Sequence, residues 1–400
     1  MRSFAPAKSP RRPRQADARV VVMGLGYVGA PMAELARTAG FEVHGLEVDA
    51  ERAAALTTED CPTSLDPSVL DRAALILVCV PTPLDDAGQP DRGPVLEAAA
   101  TIRAHAGPRV RVCLESTVDP ELAARGFAAA AGLPLDQVAH APERLDPGPA
   151  SRPARDIPRV VGGCTPAATA WAADFYRALG LQVHETTAEV AALAKLNENA
   201  QRLVNVALVG ELARLCRARG VDVDAVIDAC ATKPFGYTPY RARAGAGGHC
   251  VPVDPVWLLD AARSEGAEFG VLRAALAANR ARAADIVDAF VHTAPEARRV
   301  LVLGAAYKPG VGDTRESPAQ PIALALAARG LEVRVHDPLT GGLSPYPATT
   351  LEDALPWAEA ILALTVHDAM PVEALSRFPG PIVDACGDLR GLELIDRRRV

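Results

Sequence analysis

The chain has 400 residues, too many for one ordinary core, so two or three domains are expected. Its 49% hydrophobic and 23% charged residues describe a globular rather than a disordered protein, and aromatics at only 4% leave the cores to Ala, Leu and Val. A formal net charge of −7 argues against a nucleic-acid or membrane-surface partner, while leaving room for a local basic site that takes a phosphate.

The Pro- and Arg-rich stretch 1–18 has no apolar run behind it, so it reads as a disordered tail and not a signal peptide; no segment has the length of a membrane span. A strand is predicted at 19–24, then a helix over 27–38 stopped by Gly40, then a second strand at 41–48. A buried strand at 74–80 runs into a Pro-rich loop, a helix at 95–106 follows, and further strands lie at 109–117, 137–144 and 159–163. This alternation predicts a parallel sheet with helices on both faces, continuing to about residue 183. From Glu189 the spacing turns helical for some thirty residues, with Gly220 as a stop, and helical segments flank a Gly-rich loop as far as 294. At Arg299 strand and helix alternate again, with strands at 299–304, 331–338, 360–366 and 381–385 and a helix from Pro318. The expected α/β organisation is a tail (1–18), an N-terminal Rossmann domain (19–188), a central all-helical domain (189–294) and a smaller C-terminal Rossmann-like domain (295–400).

Gly24-Leu25-Gly26-Tyr27-Val28-Gly29 follows the first strand and opens a helix. Glycines at these positions permit a tight turn and let amides approach a pyrophosphate at the helix N-terminus. Glu47 ends the second strand, where a carboxylate accepts from ribose hydroxyls and repels a 2′-phosphate, so NAD is expected over NADP. Pro81-Thr82-Pro83 is equally readable as a second cofactor loop at the same sheet edge or as a rigid turn, and Glu115 as an NAD contact or a solvated acid.

The eight cysteines (Cys61, Cys79, Cys113, Cys164, Cys216, Cys230, Cys250 and Cys386) include no C-x-x-C pair, so no metal site is expected and their scatter suggests reduced thiols in the cytoplasm. Cys250 differs from the rest because it follows Gly247-Gly248-His249 and precedes Asp254 by four residues. Two glycines allow close approach of another molecule, and a helix start would favour the thiolate; a buried loop cysteine is the alternative reading of the segment taken alone.

The segments VMGLGYVGAPMA, CVPTPLDDAGQPD, LESTVDP, APERLDPG, AKLNENAQRLVNVALVGELA, TKPFGYTPY, GGHCVPVDP and LGAAYKPGVGDTRESPA occur in this order. Together they resemble the UDP-glucose and UDP-N-acetylhexosamine dehydrogenase family, in particular the branch that acts on UDP-N-acetylglucosamine or UDP-N-acetylmannosamine. The resemblance implies a four-electron oxidation of a sugar C6 alcohol to a carboxylate, consuming two NAD, in a homodimer joined through the central helices. It implies Cys250 as nucleophile, Lys195 and Asn199 as oxyanion-stabilising groups one helical turn apart, Asp254 as the acid that positions water, Glu143 as general base and Thr117 as a water-binding hydroxyl. Tyr27, Val28, Arg52 and Thr117 would join the glycine loop against NAD. Arg144, Arg202, Tyr240, Arg241, Arg243, Gly247, Gly248 and Lys308 would line the nucleotide-sugar, and Arg315 takes either a phosphate or an internal ion pair.

Departures from the branch pattern are local. Arg241-Ala242-Arg243-Ala244-Gly245-Ala246 stands where Pro-Gly-Pro-Gly is usual, Gly210 where Asn is frequent, Asp119-Pro120-Glu121-Leu122 for Pro-Gly-Thr-Thr, and Asp384-Ala385-Cys386-Gly387 for Asp-Thr-Arg-Asn. The last departure removes an Arg that helps hold the nucleotide-sugar, which opens the alternative of an unusual sugar nucleotide in natural-product biosynthesis. A single-hydride dehydrogenase of the β-hydroxyacid type is a further alternative, sharing the Rossmann start and a Lys-x-x-x-Asn but needing no cysteine; a non-catalytic nucleotide-sugar-binding protein is the last.

Overall fold

A computed structural model describes residues 19–144, 153–389 and 397–400; the expected tail at 1–18 lies outside them. The described chain divides into two compact units, 19–144 with 153–195, and 196–389 with 397–400.

In the first unit, strands β1 (Arg19–Met23), β2 (Glu42–Leu46), β3 (Thr63–Ser64), β4 (Leu75–Val78), β5 (Arg111–Leu114), β6 (Val138–His140), β7 (Arg159–Gly163) and β8 (Val183–Thr187) form one sheet in the order β3-β2-β1-β4-β5-β6-β7-β8. The central strands are unbroken apolar runs, as a sheet covered on both faces requires: β1 and β4 bury every residue from Val20 to Met23 and from Leu75 to Val78. Helices α1 (Gly29–Thr38), α2 (Ala50–Leu56), α3 (Gly93–His105), α4 (Phe127–Ala131) and α5 (Pro166–Ala178) connect them. Asp49 caps α2 and Thr165 caps α5, each side chain accepting from an amide of the first turn. The expectation of a wholly parallel sheet is corrected at one place: β6 and β7 pair antiparallel. No described residue between them lies in an α-helix that could carry the chain back across the sheet, and a parallel return needs such a crossover.

α6 (Ala188–Arg219) is a single helix of 32 residues that ends as the sequence predicts, with Gly220 at φ +67°. α7 (Val223–Ala231), α8 (Asp254–Ser264) and α9 (Gly270–Thr293) follow it in the second unit. Then β9 (Arg299–Leu303), α10 (Ala319–Ala328), β10 (Glu332–His336), a short hairpin of β11 (Gly342–Leu343) and β12 (Tyr346–Pro347), α11 (Leu351–Ala354), β13 (Ala360–Ala363), β14 (Ile382–Asp384) and β15 (Arg397–Arg399) complete the chain. The second large sheet has the order β10-β9-β13-β14-β15 and is parallel throughout. Its core of Val300, Val302, Ile322, Leu326, Leu362 and Val383 also takes Ile286, Val287 and Phe290 from α9, so the last helix of the middle region and the C-terminal sheet share one apolar cluster. The sequence reading leaves β15 out because its three arginines carry no apolar signal; pairing with β14 makes it a strand.

Among the described residues no helix is long and apolar enough to cross a membrane, and no group of three or more His, Cys, Asp or Glu side chains is placed to hold a metal ion.

Candidate active site

The glycine loop has the geometry a dinucleotide needs. Gly24 sits at φ +84° and an added Cβ would lie 2.8 Å from the Cys79 carbonyl, so the turn tolerates no side chain. At Gly29 a Cβ would fall 1.9 Å from the Gly24 carbonyl, which is how the helix packs onto its own strand. At Gly26, by contrast, an added Cβ would meet, among the described residues and within 4 Å, just Arg52 Nη1 at 3.9 Å, so open space and a guanidinium flank the glycine where a pyrophosphate would lie against the backbone. These residues fit NAD. Glu47 is 6% exposed and accepts from the Leu25 amide at Oε2 and from the Val48 amide at Oε1, both at 2.9 Å. It therefore braces the glycine turn, and a carboxylate with four lone-pair directions keeps capacity for ribose hydroxyls as well. Tyr27 is exposed and Val28 half-buried at the turn. Pro81 and Thr82 leave the carboxyl end of β4 beside Gly24, and Ser116 ties that loop down by donating to the Val80 carbonyl at 2.7 Å.

Glu115 is not the solvated acid of its two readings. It is 1% exposed, accepts from the Tyr176 hydroxyl and forms an ion pair with Arg159. Arg159 opens β7, 5% exposed, and reaches three acceptors: Glu115, the Ala141 carbonyl at 3.0 Å and Glu143 Oε1 at 3.5 Å. Two carboxylates thus share one buried guanidinium, which offsets the cost of burying them. Thr117 is half-buried at the next turn, and Arg144 donates to the Pro158 carbonyl at 2.6 Å. The sequence reading missed Arg159, although an arginine opening a buried apolar strand is itself a sign of a paired interior charge. Asp119, one of the departures, earns its place twice: it pairs with Arg92 at 2.8 Å and accepts from the Leu122 amide at 2.9 Å, capping the turn that follows.

Lys195 is 8% exposed on α6, so it is not an ordinary solvated helix lysine. Asn199 lies one turn on, and Arg202 is exposed further along.

In the second unit the structure brings Asn199, Cys250 and Asp254 together. Asp254 is 3% exposed, its Oδ2 accepts from Asn199 Nδ2 at 2.5 Å, and its amide donates to the Cys250 carbonyl at 2.9 Å. Cys250 is half-buried, in a turn one step ahead of α8 rather than on its first residue: the helix begins at Asp254. Gly247 and Gly248 explain the spacing of the motif. A Cβ on either would come within 2.8 Å of Tyr307, and Gly248 has φ +77°, so the cysteine loop packs flat on the Tyr307-Lys308-Pro309 loop only because it lacks side chains there. Two motifs separated by some sixty residues in sequence are one surface in space.

Arg241 and Arg243, which the resemblance sets against the substrate, meet carboxylates of the chain itself. Arg241 pairs with Asp228 and, at 3.6 Å, with Asp224, while Arg243 makes a two-pronged pair with Asp388, both contacts at 2.8 Å. Asn279 on α9 grips the same loop, accepting from the Ala246 amide at 2.7 Å, and Arg282 donates to the Arg243 carbonyl at 3.1 Å. Burial brings the Arg282 guanidinium down to about 10, against the pull of Asp285. Side-chain anchors therefore hold the segment where a Pro-Gly-Pro-Gly stretch is usual; at Gly210 an added Cβ would meet the Arg282 stem at an ordinary contact distance of 3.6 Å. Arg315 forms the internal ion pair of its two readings, to Asp313 at 2.7 Å; burial opposes the Asp313 charge, but the hydrogen bonds from Arg315 hold that carboxyl below its usual range. Tyr240 and Lys308 are half-buried. Cys386 is 1% exposed with its thiol pushed well up by burial, and no ionisation state of a cysteine supplies a cation where the branch has arginine.

Residues 18–180 match the model of the NAD binding domain of the UDP-glucose/GDP-mannose dehydrogenase family, 189–281 that of its central domain and 301–383 that of its UDP binding domain. The chain belongs to this family. NAD is the cofactor of this dehydrogenase. It is 31% identical over 385 residues to UDP-N-acetyl-D-mannosamine dehydrogenase of Pyrococcus horikoshii, covering 87% of this chain and 89% of that one. It is 30% identical over 352 residues to UDP-N-acetyl-D-glucosamine 6-dehydrogenase of Pseudomonas aeruginosa, covering 80% and 83%. The solved structure of UDP-D-ManNAc dehydrogenase from Pyrococcus horikoshii superposes with a TM-score of 0.85 at 28% identity, over 96% of this dehydrogenase and 99% of that chain.

Proposed function

We propose that this dehydrogenase oxidises the C6 primary alcohol of a UDP-linked N-acetylhexosamine, or a related UDP-hexose, to the carboxylate through a covalent intermediate on Cys250. The observation that carries the reading is the grouping of Cys250, Asp254 and Asn199 beside the Tyr307-Lys308 loop. NAD supplies the hydride acceptor. The first oxidation leaves an aldehyde; the Cys250 thiolate adds to its carbon, giving a thiohemiacetal whose oxygen bears negative charge until it is protonated. The second oxidation gives a thioester, and water releases the acid and the thiol. Lys195 and the Asn199 amide stabilise the developing oxyanion, Asp254 orients Asn199 and the water, and Glu143 takes the proton of that water while Arg159 holds it in place. Lys308 pairs with the diphosphate.

Incubation with UDP-, dTDP- and GDP-sugars tests this reading. Two NADH released per UDP-N-acetylhexosamine is the expected result. One NADH per substrate would favour a single-hydride dehydrogenase, and turnover confined to another base or sugar would favour the unusual-sugar alternative that the buried Cys386 keeps in play.

A homodimer belongs to the same proposal. α6 exposes Val190, Leu193, Leu208 and Leu215 at 43 to 62%, large side chains that a monomer would leave in water. Sedimentation equilibrium at micromolar concentration is expected to give a dimer, and a monomer there would refute it. A reducing compartment, the cytoplasm, suits an enzyme whose working thiol must stay reduced.

A further inference from the structure

The loop that carries Lys308 leaves β9 at Gly304 and is fastened on both sides of that lysine. Ahead of it, the amides of Ala305 and Ala306 donate to Asp337 Oδ2 at 2.8 and 2.9 Å, and the Ala306 carbonyl accepts from Thr365 Oγ1 at 2.9 Å. Beyond it, the Gly310 amide donates to His367 Nδ1 at 2.9 Å, and His367 Nε2 donates to the same Asp337 oxygen at 3.0 Å. The side chains of His367 and Asp337 are 1% and 0% exposed. Because Nδ1 accepts from an amide it carries no proton, so the single ring proton sits on Nε2 and faces the carboxylate. Both ends of the loop therefore converge on Asp337, one directly and one through the imidazole. Burial opposes the Asp337 charge, but the bonds from His367 and the surrounding amides hold its carboxyl at about 2, so the anchor stays ionised at neutral pH.

We propose that His367 is a positioning residue that fixes the Lys308 loop for the diphosphate of the nucleotide-sugar, setting substrate affinity and not the hydride chemistry. The proposal rests on the reading of Lys308 as the diphosphate contact. Gly310 itself is exposed, but its amide is fastened to a buried imidazole; without that acceptor this end of the loop has lost its tie to the interior and would shift, moving Lys308 with it. The two ring nitrogens have separable replacements. Asparagine places an oxygen near the Nδ1 position and keeps an acceptor for Gly310; glutamine places its amide nearer Nε2, keeping the link to Asp337 while leaving Gly310 without a partner.

The test compares His367→Asn, His367→Gln, Lys308→Ala and the Lys308→Ala/His367→Gln double variant, measuring dissociation constants for UDP and for NAD by calorimetry and KM against kcat for the nucleotide-sugar. His367→Gln is expected to raise the UDP dissociation constant and the sugar-nucleotide KM about tenfold, the scale of one lost hydrogen bond to a buried group, with kcat and NAD binding unchanged. His367→Asn is expected to stay near wild type, and His367→Gln should add nothing once Lys308 is alanine. Unchanged UDP binding in His367→Gln, an equal loss in His367→Asn, or an additive loss in the double variant would overturn the proposal. If Lys308→Ala itself binds UDP normally, the reading of Lys308 falls and takes the proposal with it. Should His367→Gln fail to fold, amide exchange in the wild-type enzyme decides: Gly310 is expected to be protected like the β9 ladder, and fast exchange there would end the idea.

Discussion

Cys250→Ala is expected to release no second NADH from any nucleotide-sugar while still binding UDP and NAD. Alanine cannot form the thiohemiacetal, so the aldehyde has no covalent tether between the two oxidations. Loss of a nucleophile costs on the order of 10⁴ to 10⁶ in turnover. The substitution removes a half-buried side chain from a turn whose backbone is held independently, by the Cys250 carbonyl receiving the Asp254 amide and by Gly247 and Gly248 against Tyr307. The fold around it should persist, and unchanged UDP affinity would show that it does. Cys250→Ser should also fail to turn over near neutral pH, because serine lacks the accessible thiol ionisation; mass spectrometry of that variant with substrate and NAD should show either no adduct or a slowly hydrolysing ester. Two NADH per sugar from Cys250→Ala at near wild-type rate would overturn the mechanism.

Lys195→Ala is expected to slow both oxidations by about 10² to 10³, the typical cost of one lost oxyanion-stabilising contact. Each oxidation passes through an anionic oxygen, so single-turnover traces should show the first and second NADH phases slowed alike. Lys195 is 8% exposed at the start of a 32-residue helix, so its truncation leaves a cavity as well as removing a charge. Lys195→Met separates the two effects, since it restores most of the volume without the ammonium. Equal loss in both variants assigns the effect to the charge; full activity in Lys195→Met would remove Lys195 from the chemistry.

The fold was legible wherever local chemistry repeats. The glycine loop after β1, the apolar runs of β4 and β9 and the stop at Gly220 each carry their signal in adjacent residues, and each element lies where the periodicity sets it. β15 and the antiparallel turn of β7 were not legible, because a strand of three arginines and the direction of a pairing are decided by neighbours far along the chain.

The same division runs through the site. The chain by itself marks Cys250, Asp254, Lys195, Asn199 and Lys308 by spacing and by resemblance, since reactive groups must be of particular types at particular intervals. It cannot say what each charge meets. That Arg243 is taken by Asp388, that Arg159 lies between Glu115 and Glu143, and that His367 joins Gly310 to Asp337 are contacts between residues 16 to 145 positions apart. Which carboxylate a guanidinium finds, and which amide an imidazole receives, depends on distances of about 3 Å, and only packing sets distances that small. The sequence determined which reactive and charged groups this protein has; tertiary structure decided which of them meet one another.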